Sequence, residues 1–491
     1  VPSQFPPLTT RFAGEFPDLV RECAPDIPAG VRVGAVNAPL AREFGIDKGA
    51  EHTALEQLTR SFASVEVAHA MAYSGHQFGT FSPVLGDGRA HLMGELTCSD
   101  GRVVDVHLKG SGRTPFSRPG SDGKAPLSAM YREYLVSEGL RALGIPASRA
   151  LAILETGERI RRRAPEPEPA GILVRTAASH VRVGTFQFAR IAGDQGAIEP
   201  ETRERLVRFA LERHYPGWDE GPGDSPAPAL ALLRGVASRQ ARLVAQWMGV
   251  GFVHGVLNTD NVSVAGESID FGPCAFLDRY ESAACFSSID TGGRYAYGQQ
   301  AAITQWNIAR FADSLLDLID PDPERAVEEA SAVLSEFAEE YRAAFTRVFA
   351  RKLGIGGDPG TEVEQFVARM LEALEREEGD FTLLFRALTE GRELEGEFAA
   401  GGAWRAELEE FRARAGTDPE HAEALMREAN PIYIPRNHHV EQALREVERG
   451  ETARFERLLE AIREPFTRRE GFDDLESPPP NARYFTSFCG T

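Results

Sequence analysis

HGVLNTDNVSVAGESIDFGP, residues 254–273, is the stretch on which the reading of this chain turns. It follows a helical pattern whose apolar stripe contains Val236, Leu243, Val244 and Trp247. It then offers a loop with His254, Asp260 and Asn261, an apolar alternation at Val262 and Val264, a turn at Ala265-Gly266-Glu267, and Asp270-Phe271-Gly272. The expected local structure is a loop, a hairpin and a delivered carboxylate. Asn261 and Asp270 are oxygen donors of the kind that hard Mg²⁺ or Mn²⁺ prefers.

Working outward, RVVDVHLKG (102–110) alternates so that Val104, Val106 and Leu108 share one face while Asp105, His107 and Lys109 share the other. Lys109 thus ends a strand facing away from its apolar side, where it can neutralise nucleotide phosphates. The next helical pattern, MYREYLVSEGLRAL, offers Glu133 to hold it, with Glu138 as the alternative. Residues 74–96 read as a Gly-rich strand-turn-strand with Gly86, Gly88 and Arg89 at the turn, where backbone N–H groups can approach phosphate closely. KGSGRTPFSRPGSDGKAP (109–126) adds a loose loop with Asp122 and Gly123; it lacks the P-loop spacing and opens no dinucleotide-binding helix. Arg175 and Arg182 stand in the otherwise apolar and small-residue segment 173–188, and arginine favours bidentate phosphate contacts; ion pairs are the plainer account of them.

In kinase-like enzymes a catalytic loop supplies a base and an Asn metal ligand, and a following strand delivers an Asp to the metal bridging the nucleotide phosphates. Asn261 and Asp270 fall at those places. The base of the pattern D-x-x-x-x-N falls on Val256, which accepts no proton. Asp260 is the remaining carboxylate of that loop, read as the proton acceptor or, more plainly, as a loop cap.

The 491 residues are 42% hydrophobic and 26% charged, with a formal charge of −20, which disfavours non-specific nucleic-acid binding. No apolar run reaches membrane-span length and no secretion signal is recognised, so a protein outside the membrane, in the cytoplasm, is expected. The five cysteines include no CxxC pair, against a zinc site or a disulfide framework. A mixed α/β part is expected to about residue 175, then a largely helical one, with helices near 126–143, through 303–319 and over 324–352 and 362–376. RRRAPEPEPAG (161–171) and GPGDSPAPA (221–229) read as breaks.

Taken together, Gly86-Asp87-Gly88-Arg89, Lys109-Gly-Ser-Gly-Arg-Thr-Pro, Arg132-Glu133, Val174-Arg175-Thr176, His254-Gly255-Val256 through Asp260-Asn261, and Asp270-Phe271-Gly272-Pro273 resemble the selenoprotein O (YdiU) family of pseudokinases from about residue 65 onward. The resemblance implies an α+β, protein-kinase-like bilobal fold: an N-terminal extension and N-lobe over 1–175, a helical C-lobe over 176–430 and a C-terminal extension over 431–491. It implies transfer of AMP from ATP, bound in a flipped orientation, to Ser, Thr or Tyr of protein substrates. Lys109, Arg89, Arg175 and Arg182 would contact the nucleotide, Gly86, Gly88, Asp122 and Gly123 shape its pocket, Asn261 and Asp270 hold the metal, and Asp260 accept the proton. The Asp122 and Gly123 segment is one residue longer than the family's usual spacing. A reversible Cys285–Cys489 disulfide is a further implication, and a monomer is expected. A phosphotransferase with the usual ATP orientation and a non-catalytic nucleotide-binding pseudokinase are the alternatives.

Overall fold

Leu173 and Val174 are neighbours on one strand whose side chains enter different cores, and that alternation organises the first part of the chain. The computed structural model describes residues 4–162, 166–219, 227–394, 396–399, 402–479 and 485–487. Among them, β1 (Val20–Cys23), β2 (Arg32–Val36), β3 (Ala68–Gln77), β4 (Thr80–Gly86), β5 (Ala90–Thr97), β6 (Val103–Lys109), β7 (Ala125–Pro126), β8 (Arg149–Ile160) and β9 (Glu168–Ala177) form one sheet. Its order is β1-β3-β5-β6-β9-β8-β2, with β4 on β3 and β7 on β9, all antiparallel.

Ile172, Val174, Leu154 and Leu108 pack on one side with Leu55 and Phe62 of the Glu51–Ala63 helix. Leu173, Ile153 and Ala150 pack on the other with the Leu127–Ala142 helix. Helices Asn437–Val447 and Ala453–Arg463 return from the end of the chain to cover that second helix, placing Phe455 edge-on to Tyr131. Both faces of the sheet are therefore covered, and this modifies the expectation for β6: Asp105, His107 and Lys109 share a face as read, but that face is also buried.

The rest is helical around one large core. Pro228–Val250 starts with a proline in its first turn and ends on Gly251 at φ 71°, a left-handed cap that turns the chain into the short strand Phe252–Val253. Gly249 meets Val348 of the Pro323–Lys352 helix with no room for a side chain between them. The expected 303–319 helix divides into Gln300–Asp313 and Leu316–Ile319, while Thr361–Arg376 runs as read. No helix of the described residues is long and apolar enough to cross a membrane.

Candidate active site

Residues 254–273 join the two parts. Ser268 bridges to Ala147 beside β8 and receives the indole N–H of Trp247 from the helical core at 2.9 Å. The expected hairpin is reduced to one bridge, Val262 with Ser268, because the backbone between them is drawn to Arg182 and Val181. His254 is fully buried. Its Nε2 lies 2.9 Å from the carbonyl of Ile269, and Gln300 Oε1 accepts its amide at 3.0 Å, which fixes the loop against the segment that presents Asp270.

Asp270 adopts φ 65°, a left-handed conformation that a non-glycine residue keeps only where its surroundings enforce it. Three cations do so. Lys109 Nζ is 2.6 Å from Asp270 Oδ1, Arg175 Nη1 is 2.8 Å from the same oxygen, and Arg182 Nη1 is 3.6 Å from Oδ2. Glu133 completes the cluster, 2.7 Å from Lys109 and 3.2 Å from Arg175. Glu138, the alternative partner, instead pairs with Arg149 and Arg463. Burial alone would raise the Asp270 pKa, but Lys109, Arg175 and Arg182 overcome it and hold the carboxyl well below the usual range.

Asp260 lies on a 3-10 turn, Thr259–Asn261, and is 6% exposed. Its Oδ2 accepts from Gln77 Nε2 at 3.3 Å, its Oδ1 has no hydrogen-bond partner, and its backbone carbonyl accepts from Arg182 at 3.0 Å. Burial pushes its pKa up, and Arg182 opposes that only in part. The Asn261 side-chain nitrogen donates to the carbonyl of Val256 at 2.8 Å, which leaves the amide oxygen for a cation. A donor set of Asn261 and Asp270 fits Mg²⁺ or Mn²⁺ that completes its shell with phosphate and water. The described residues contain no cluster of three His, Cys, Asp or Glu for an all-protein cage.

Among the Gly-rich features, Gly86 (φ 150°) and Gly88 are covered by the following loop. A Cβ on Gly86 would strike the Phe116 ring, and Ser117 Oγ donates to Gly88 O at 2.6 Å. The Arg89 carbonyl accepts from Gly110 N at 2.7 Å, tying that turn to the end of β6. Gly123 (φ 71°) lies on the Gly112 carbonyl with no space for a side chain. Asp122 pairs with Arg162 at 2.7 Å and accepts from the Lys124 amide, so its described contacts belong to the rim of the β8–β9 hairpin rather than to the Asp270 cluster.

Two participants have no signal of their own in the sequence, and a third, Asp87, stands there only as part of the Gly86–Arg89 motif. Asp87 is buried, accepts the Met71 amide at 3.0 Å and lies 3.7 Å from Arg182, whose guanidinium also covers the Tyr73 ring at 4.4 Å. Gly75 leaves space for Asp260, and a side chain there would collide with the carboxylate. His180, fully buried and stacked on His107 at 3.6 Å, has Arg175 Nε 3.1 Å from its Nε2. That bond assigns the imidazole proton to Nδ1, which faces Asp105 Oδ2 at 3.4 Å, and Asp105 is bound in turn by Arg213 at 2.6 Å. Burial, then Arg175 and Arg182, keep His180 neutral.

The cluster is mostly buried, with the Asp270 side chain 22% exposed. A cleft of about 530 Å³ lined by Tyr131, Tyr134, Phe455 and Arg463 opens on another side of the helix that carries Glu133. At the far rim the tail returns: Ser487 N donates to Phe286 O at 2.7 Å and Ser288 N to Ser487 O at 3.0 Å, directly after Cys285. Cys489 lies outside the described residues.

The family described as "Protein adenylyltransferase SelO" matches residues 29–463. Among curated proteins, the chain is 46% identical to a "Protein nucleotidyltransferase YdiU" of Cereibacter sphaeroides, over 99% of this chain and 100% of that one. It is 42% identical to the protein so named of Rhizobium johnstonii, over 99% and 97%. For that of Pseudarthrobacter chlorophenolicus the figures are 43%, 99% and 98%.

Proposed function

Because the chain belongs to the SelO family of protein adenylyltransferases, we propose that it transfers AMP from ATP to Ser, Thr or Tyr hydroxyls of proteins with the help of Mg²⁺ or Mn²⁺. The enzyme is a nucleotidyltransferase. The observation that carries the finer reading is the convergence of Lys109, Arg175 and Arg182 on one carboxylate, Asp270. With ATP bound, these cations would turn from Asp270 to the phosphates, and Asn261 and Asp270 would hold the divalent ion. The ion's role is to neutralise charge on the phosphates. Arg89, the Gly86–Gly88 turn and Gly123 line the rest of the nucleotide pocket, with Asp122 at its outer rim beside Arg162.

Asp260 is the general base. A target hydroxyl oxygen attacks the α-phosphorus, the bond from that phosphorus to the oxygen bridging the β-phosphate breaks, pyrophosphate leaves, and the hydroxyl proton passes to Asp260. The unpartnered Oδ1 of Asp260 is the acceptor. Val256, at the place of a kinase base, takes no part in this chemistry.

The architecture is read as a kinase-like pair of lobes, 1–175 and 176–430, with 431–491 as an extension; the Lys109–Glu133 pair between strand and helix supports that. The protein works as a cytoplasmic monomer. Its tail gates the segment after Cys285 through a Cys285–Cys489 disulfide, a reading supported by the pairing of Ser487 with Phe286 and Ser288.

ATP labelled at the α- or the γ-phosphate tests the reaction. Protein-bound label from the α position, lost in D270A and D260A and on adding EDTA, is expected. Label from the γ position alone would make the enzyme a phosphotransferase.

A further inference from the structure

The β3–β4 hairpin turns on Phe78 and Gly79, with Gln77 paired to Thr80. Both turn residues have positive φ, 52° and 82°, the signature of a type I′ turn. That turn favours Asn-Gly, and an aromatic residue in its first place is held in a left-handed conformation that L side chains rarely adopt. The strain is held in place: Tyr295 Oη accepts the Phe78 amide at 3.0 Å, donates to Asn258 Oδ1 at 2.5 Å, and its ring lies 5.2 Å from that of Phe78. Yet Phe78 remains 38% exposed, as does Phe81, and Val84 is 60% exposed. An unfavourable turn residue that is kept at the surface serves something outside the fold.

The hairpin is anchored to the catalytic loop. Gln77, the residue before the turn, hydrogen-bonds Asp260, and the His76 amide donates to Thr259 Oγ1 at 2.8 Å. The exposed rings therefore stand at the rim of the group that receives the proton. Phe81 leans on His76 at 4.6 Å, and His76 meets Trp306 edge-on at 5.1 Å. The Arg294 guanidinium lies over Trp306 at 4.8 Å and beside Gly79. The nearby Asp290 carboxylate is taken up by the backbone amides of Arg294 and Tyr295, and Arg294 Nε is without a hydrogen-bond partner. On the other side of the hairpin, among the described residues, β4 pairs with β3 alone, so an extended chain can lie along it.

We propose that Phe78, Phe81 and Arg294 form the docking platform for the protein substrate, taking an extended segment that carries an apolar or aromatic side chain and an acidic one next to the target hydroxyl. The occupant follows from the chemistry of the rim: ring faces take apolar groups, and a guanidinium held on aromatic faces takes a carboxylate. In a chain of net charge −20 an acidic segment is repelled at long range, so a local cation at this rim acts as a selector. The proposal rests on the reading of Asp260 as the base for a protein hydroxyl.

The test uses the full-length enzyme, α-labelled ATP and degenerate peptide libraries with a central Ser, Thr or Tyr. Native enzyme should select acidic and apolar residues at fixed places beside the modified hydroxyl, and R294E should invert the acidic preference. F78G suits the turn better, so it should keep or raise the melting temperature and leave ATP affinity unchanged while raising the peptide KM about tenfold. A library profile without acidic preference, the same profile in R294E, or an unchanged KM in F78G overturns the platform. Native enzyme that labels proteins but shows a flat library profile sinks the platform alone, whereas native enzyme that transfers AMP to no protein sinks the reading beneath it.

Discussion

The carboxylate of Asp260 lies against the bare Cα of Gly75, so close that a Cβ at residue 75 would sit 2.8 Å from its Cγ and 2.7 Å from Leu85 Cδ1. Leu85 and the β3–β4 pairing prevent the strand from moving away, so a methyl group there displaces the carboxylate. Misplacing a reacting group by about 1 Å can cost on the order of a hundredfold in rate. G75A is expected to lower AMP incorporation by about that factor while ATP affinity stays within about threefold, as read by α-label transfer and calorimetry. G193A, in a helix position with open space around it, is the control and should match the native enzyme. Equal rates in G75A and native enzyme would refute the placement of Asp260 as the base.

His180 gives Arg175 a third anchor, after Asp270 and Glu133. H180L leaves the buried Arg175 Nε–H without an acceptor, which costs roughly 1–3 kcal/mol, whereas H180Q restores an acceptor oxygen at similar reach. H180L should therefore unfold at lower urea and bind ATP more weakly, with H180Q close to native in both. Nitrogen NMR of labelled histidine should find His180 protonated at Nδ1, and a proton on Nε2 would contradict the hydrogen bond from Arg175.

Lys352 ends the Pro323–Lys352 helix with its ammonium over the ring of Phe385 at 4.2 Å and near Phe381 at 5.6 Å. Burial lowers its pKa from 10.5 to about 7. Between those values the unfolded chain holds a proton that the folded one has released, so native stability rises with pH from about 7 to 10.5. At about 1.4 kcal/mol per pH unit, K352M should be more stable than native on the order of 4 kcal/mol at pH 7. That gap should close towards pH 10.5, as followed by urea unfolding at each pH. A gap independent of pH would mean that Lys352 stays charged in the fold.

If the tail restrains the segment after Cys285 through sulfur, mild oxidation should remove two titratable thiols from the native enzyme and change its AMP transfer severalfold. C285S should keep the rate of the reduced enzyme under both conditions. Thiol counts and activity that do not respond to oxidant in the native enzyme would eliminate the pairing.

Features set by neighbouring residues were legible in the sequence, and those set across the chain were not. The alternation of β6 put Lys109 at a strand end, and the helical pattern near 126–143 offered Glu133 to it; both were legible because periods of two and 3.6 are local. The exposure of that polar face was not legible, since the cover over Asp105 and His107 comes from His180 and Arg213, far along the chain. Arg175 and Arg182 were visible as arginines in an apolar segment, but their meeting with Asp270 joins residues 95 positions apart in the case of Arg175, and Lys109 reaches it across 161.

By itself, then, the sequence determined the strand and helix periods, the loop that carries Asp260, Asn261 and Asp270, and the family. Only the tertiary structure decided that three cations share one carboxylate, that Gly75 is small because Asp260 needs its space, and that Phe78 is strained at the rim of the site. Each of these is a contact between segments distant in the chain. Side-chain patterns fix which face a residue occupies, whereas packing and charge balance between faces fix what it meets there.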